Sequence, residues 1–174
     1  KSIIDAWPNV ANHVNVLSEN LILEGEEGSI GSSSDPIVIN LETGAALTAR
    51  TTNDIYIEED SSTQNPNGDD THLNLRAAYA TNHINLRALS GSILDADNTD
   101  YWNVLTDTAY LKAANGIGAS NNFVNVELTG ALNAEAVNDI YIYEVNLETS
   151  FGNGIMQVDL VESTTGNVSL KADE

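Results

Sequence analysis

The sequence predicts an all-β chain wound as a parallel β-helix, a β-solenoid made of two tandem repeats of about 87 residues. Three observations predict it. The chain repeats itself in order along nearly its whole length, its apolar residues alternate with period two, and the segments between them are Gly, Asn, Ser and Asp turns with no stretch of comparable helical period.

The repeat comes first because it constrains everything else. Ser2-Ile3-Ile4-Asp5-Ala6 returns as Ser92-Ile93-Leu94-Asp95-Ala96, and Val14-Asn15-Val16-Leu17 returns as Trp102-Asn103-Val104-Leu105. Ile30-Gly31 matches Ile117-Gly118, the alternating Ile37, Ile39 and Leu41 match Val124, Val126 and Leu128, and Asn53-Asp54-Ile55-Tyr56-Ile57 recurs identically from Asn138 to Ile142. Copy one therefore runs over 1–91 and copy two over 92–174, as one continuous solenoid expected to be a piece of a longer chain. Inside each copy a Leu-x-Ala unit or a close variant recurs, at Leu23, Leu47, Leu75 and Leu86 and again at Leu111, Leu132, Leu160 and Leu170. Most of these intervals are roughly 20 to 28 residues, the rhythm of a stacked coil.

Ile37-Val38-Ile39-Asn40-Leu41, Ile55-Tyr56-Ile57 and His83-Ile84-Asn85-Leu86-Arg87-Ala88 alternate apolar and polar, so each reads as a strand with one face inward. The stretches from Gly28 to Asp35 and from Asn65 to Asp70 are turn chemistry, where Gly and Asn accept positive φ at little cost. A β-sandwich also has short alternating strands. Equivalent residues one coil apart favour the solenoid, in which Leu, Ile, Val and Ala stack in ladders about 4.8 Å apart.

Six basic residues against 26 acidic ones give a formal charge of -20. Nucleic acid and anionic membranes would be repelled, and no apolar run approaches the roughly 18 residues of a membrane span. Cations are the natural counterparts. With no cysteine, disulfides and thiolate metal sites are both out of reach.

Three candidate sites stand out. Asp95, Asp97, Asn98 and Asp100 follow the opening of a calcium loop, since hard cations take several closely spaced oxygens. Asp100 stands where that loop needs glycine and Thr106 where it needs a bidentate glutamate. Ca2+ is thus a candidate cofactor with Asp95, Asp97 and Asp100 as its ligands. His13, His72 and His83 share a local pattern, yet copy two carries Tyr101, Gln157 and Asn167 at the matching places, so the scaffold does not require imidazole. Asp54 and Asp139 are fixed by the repeat ahead of Ile-Tyr-Ile, where an Asn-Asp pair most simply makes a turn. Gly-x-Ser-x-Gly, P-loop and His-Glu-x-x-His motifs are missing.

The succession Gly-Ser-Ile-Leu-Asp-Ala-Asp from Gly91, Leu111-Lys112-Ala113-Ala114-Asn115-Gly116-Ile117-Gly118, Leu132-Asn133-Ala134 and Asn138-Asp139-Ile140-Tyr141-Ile142 resembles the repeats of giant bacterial surface proteins related to filamentous haemagglutinins. The resemblance spans nearly the whole chain. It implies a right-handed β-helix at the cell surface or outside the cell, with a scaffolding or attachment role and no catalytic residues. The expected partners are flanking repeats or further copies of the chain joined head to tail, and a host or matrix glycan or protein. The competing readings are a polysaccharide lyase or hydrolase on a β-helix and a calcium-dependent extracellular module.

Overall fold

A computed structural model describes residues 1–6, 13–61, 71–147 and 154–173. The turn expected from Asn65 to Asp70 lies outside the described residues. Copy one forms β1 (Val16–Ser18), β2 (Leu21–Gly25), β3 (Ile37–Leu41), β4 (Leu47–Thr51), β5 (Asp54–Glu59), β6 (Leu73–Tyr79) and β7 (His83–Ala88). Copy two opens with the short β8 (Ile93–Asp95). It continues with β9 (Val104–Thr106), β10 (Thr108–Ala113), β11 (Val124–Leu128), β12 (Ala131–Ala136), β13 (Ile140–Glu144), β14 (Gln157–Ser163) and β15 (Val168–Ala172). Every pairing between these strands is parallel, and no helix occurs among the described residues. The chain is a parallel β-helix.

Two sheets face each other across one core. The first sheet stacks β1-β3-β5-β7-β10-β12-β14, and the second stacks β15-β13-β11-β9-β6-β4-β2 with β8 beside β6. Period-two alternation sends every second side chain inward, and the parallel register places like on like. Ile57, Leu86, Leu111 and Ala134 follow one another down the first sheet, each with 0% exposure. A column of isoleucines marks the corner where each copy begins: Ile3 bridges Ile30 and Ile30 bridges Ile55, while in copy two Ile93 bridges Ile117 and Ile117 bridges Ile140.

Between that corner and the next strand the chain makes a small hairpin, with Ser32 paired to Asp35 in copy one and Ala119 to Asn122 in copy two. Gly31 and Gly118 open these hairpins at φ of 67° and 68°. A Cβ on either would collide with a carbonyl oxygen of the next coil, that of Tyr56 or of Tyr141. The two tyrosines are the same residue of the repeated Asn-Asp-Ile-Tyr-Ile.

Two features of the repeat emerge only in three dimensions. Among the described residues each copy contributes seven path strands and a coil takes two, so every path strand of copy two lies in the sheet opposite its equivalent in copy one: β3 belongs to the first sheet and β11 to the second, β4 to the second and β12 to the first. The Leu75–Leu160 correspondence is also displaced by two residues. Leu47 pairs with Leu75 and its equivalent Leu132 pairs with Val158, each just before the same bulge. The match of His72 is therefore Ile155 rather than Gln157, and the imidazole still has no counterpart. Gln157 instead matches Asn74, and both reach a carbonyl of the preceding coil, Asn74 Nδ2 that of Ala45 at 3.1 Å and Gln157 Nε2 that of Thr129 at 3.2 Å.

Core-facing Val158 and Val168, in the last described coil, are 48% and 45% exposed, because no described coil lies beyond them. Truncating Leu86 to Ala should destabilise the fold by about 2–5 kcal/mol, through lost transfer energy and a cavity between two coils. Val158→Ala should change stability by well under 1 kcal/mol. Urea unfolding of both variants checks the contrast.

Candidate functional site

The outward face of the first sheet carries a row of charged side chains. Alternation leaves one side chain per strand pointing out at a given level, and the register aligns Glu58, Arg87, Lys112, Glu135 and Glu162 in a single row. Arg87 forms an ion pair with Glu58, and Lys112 Nζ meets Glu135 Oε2 at 2.7 Å. Tyr110 donates its hydroxyl to Glu135 Oε1, also at 2.7 Å. The Lys112 ammonium and then the Tyr110 hydroxyl hold the Glu135 carboxyl below its usual range, against a smaller opposing push from burial. A shallow groove of about 430 Å³ lies beside this row, with Ala113, Ala136 and Val137 in its wall.

In this row each cation already faces a glutamate, Arg87 with Glu58 and Lys112 with Glu135, and Glu135 is held ionised, the wrong state for a general acid. The second sheet behaves alike. Arg50 lies beside Glu24 in register, with its guanidinium 5.7 Å from the ring centre of Tyr79, while Lys171 sits 4.0 Å over Phe123.

A carboxyl whose pKa is pushed up, that of Glu144, is hidden in the core. Glu144 has 0% exposure, and burial moves it from 4.5 to about 7, assisted by the neighbouring Glu127 and opposed by a hydrogen bond from the backbone N–H of Leu128. Its Oε1 accepts that N–H at 2.9 Å, and Glu59 in copy one accepts the N–H of Leu41 at 3.1 Å. The reason is local. The parallel ladder ends at Ile39–Glu59 and at Val126–Glu144, and the chain then turns away, so the next N–H of the neighbouring strand would lack an acceptor. The glutamate side chain supplies one. Sequence reasoning passed over this pair, although Glu59 and Glu144 both stand two residues after the repeated Asn-Asp-Ile-Tyr-Ile and break the alternation by placing an acid where an apolar residue belongs.

The residues singled out from sequence are dispersed among structural tasks. Asp95 is buried, and its Oδ1 accepts from the Asp97 N–H at 3.0 Å and from Asn103 Nδ2 at 2.8 Å. Asp97 turns outward to Arg76, with Nε at 3.0 Å from Oδ2, and Asp100 is exposed. These three carboxylates do not converge. Among the described residues no group of three or more His, Asp or Glu is placed to hold a metal ion.

Asp54 accepts from Ser29 Oγ at 3.3 Å and lies opposite His83. Asp139 accepts the backbone N–H of Asn167 in the next coil at 2.6 Å. His83 packs against the Tyr56 ring at 5.6 Å and shares a 2.9 Å hydrogen bond with Thr108 Oγ1; burial lowers its pKa, against smaller opposing effects of Asp54 and Thr108. His72 Nδ1 accepts the N–H of Ser92 at 3.0 Å, and His13 lies apart, just ahead of β1. The histidines are thus at separate places in the coil and form no triad.

Two outcomes follow from this geometry. Glu144 is protonated more readily folded than unfolded, so its stabilising contribution is complete below pH 4.5 and disappears as pH rises through about 7. Glu144→Gln should shrink the loss of unfolding free energy between pH 5 and pH 8 by about 2–3 kcal/mol, measured by urea titration. Because Arg76 occupies Asp97 and Asn103 occupies Asp95, EDTA should leave the melting temperature within about 1 °C of its value in calcium, read by circular dichroism. Comparison with family models, with curated proteins and with solved structures finds no match to this chain.

Proposed function

We propose that the chain is a structural repeat module of a very large secreted or cell-surface bacterial fibre or adhesin, serving as scaffold or attachment rather than as a catalyst. One observation carries this reading: a single apolar core of like-on-like columns runs from coil to coil through both copies of the repeat, the quasi-one-dimensional build of a module that is stacked rather than closed around a cleft.

The chemistry of the surface supports the same reading. A lyase for acidic polysaccharides needs free cations at its groove, and Arg87 and Lys112 are engaged by Glu58 and Glu135. A glycosidase needs a carboxylic acid with raised pKa facing the substrate, whereas Glu144 faces inward. The charge of -20 keeps neighbouring rods apart laterally at low salt, which favours growth along the axis over side-by-side aggregation.

Antibodies raised against this chain should label unpermeabilised source cells or the matrix around them, and a panel of acidic and neutral polysaccharides should be returned uncut after prolonged incubation. Labelling only after permeabilisation, or release of reducing or unsaturated ends from any glycan, would overturn the reading.

A further inference from the structure

Beside the charged row, the outward face of the first sheet carries a neutral one. Two residues ahead of Glu58, Arg87, Lys112 and Glu135, the register aligns Tyr56, Asn85, Tyr110 and Asn133 on β5, β7, β10 and β12. These four strands are internal to the sheet, with β3 on one side and β14 on the other. We propose that this row is a binding face for an uncharged, linear polysaccharide laid along the coil axis. The proposal rests on the attachment reading and names the chemical class of its partner.

The row alternates ring and amide. Adjacent parallel strands lie about 4.8 Å apart, so the two rings recur at about 9.6 Å with an amide between them. A linear polysaccharide of β-linked sugars has a matching rhythm, because each unit is turned over relative to the last and presents the same face at every second sugar. Both rings are held in place. Tyr110 gives its hydroxyl to Glu135 at 2.7 Å, and Tyr56 packs on His83 with 5.6 Å between ring centres. Rings fixed before a ligand arrives lose little freedom when it binds.

The protein leaves the hydrogen-bonding groups of this row open. Asn85, Asn133 and Tyr56 are half-buried, and among the described residues none exchanges a hydrogen bond with their side chains. An amide offers donor and acceptor together, which suits a hydroxyl better than an ion. The flanking rows are engaged, His83 with Thr108 at 2.9 Å on one side, Arg87 with Glu58 and Lys112 with Glu135 on the other. A charge of -20 on the whole chain repels acidic polysaccharides, so the fitting ligand is uncharged.

The repeat supplies a control. Tyr110 and Asn133 correspond to Ile22 and Thr48 in copy one, and Asn85 corresponds to Ser169 in copy two, while Tyr56 keeps its ring as Tyr141. The coil therefore winds without this alternation, which belongs to the face and not to the scaffold.

Affinity electrophoresis of the whole chain in native gels tests the proposal. The probes are hydroxyethylcellulose and galactomannan as neutral β-linked chains, dextran as a neutral α-linked one and alginate as an acidic one. Hydroxyethylcellulose or galactomannan should retard the protein, undiminished by added salt, with dextran and alginate at least tenfold weaker. Asn85→Ala/Asn133→Ala should weaken the retardation at least tenfold while circular dichroism shows the variant folded, and Asn85→Asp, which adds charge without changing shape, should act in the same direction. Thr48→Ala, at the equivalent place in the opposite sheet, should leave it unchanged. No retardation by either β-linked probe, retardation abolished by salt or matched by dextran or alginate, full retardation of both asparagine variants, or an equal loss in Thr48→Ala overturns the proposal. Retention in such gels is independent of where antibodies label the source cells, so this face and the fibre reading fail separately.

Discussion

Each coil gives its backbone hydrogen bonds to the coil above and the coil below, and the rest of the structure follows from that exchange. Parallel pairing fixes which residue sits over which, so a side chain is chosen by its neighbours one coil away more than by its neighbours in sequence. Ile57 is apolar because Leu86 and then Leu111 extend the same column. Gly31 is glycine because the carbonyl of Tyr56 in the next coil leaves no room for a Cβ. The acidic exterior is compatible with this arrangement because charges that repel across solvent do not interrupt the ladder within.

Where the exchange fails, polar side chains enter the interior. Glu59 and Glu144 serve N–H groups that the departing chain leaves behind. Asn15 and Asn103 do the same at the start of a rung, accepting the N–H of Val38 at 2.7 Å and of Asn125 at 2.8 Å. These groups bring a burial penalty into the core, yet an unsatisfied backbone donor at the same place has a penalty of its own. The raised pKa of Glu144 is the visible residue of that compromise.

The architecture was legible in the sequence because a repeat and a period of two are both one-dimensional signals. Ile37-Val38-Ile39-Asn40-Leu41 and Ile55-Tyr56-Ile57 are strands in the places their alternation marks. The task of Glu144 was not legible, because it is defined by an N–H sixteen residues away in sequence and one coil away in space. Nor was the alignment of Leu75 with Val158, since the matching bulges before Thr48 and Asn133 are properties of strand pairs. The carboxylates of Asp95, Asp97 and Asp100 looked like neighbours by spacing, but the turn sends the first into the core and the second to Arg76.

The alternation of equivalent strands between the two sheets also bears on how such a protein can lengthen or shorten over evolutionary time. Duplicating or deleting one repeat would turn everything beyond that point by half a revolution about the axis, moving whatever is displayed there to the far side. Changes in pairs would preserve the direction in which distal parts face. Copy number thus has a parity, and unequal recombination within such a gene would be filtered by it wherever the orientation of a distal part matters.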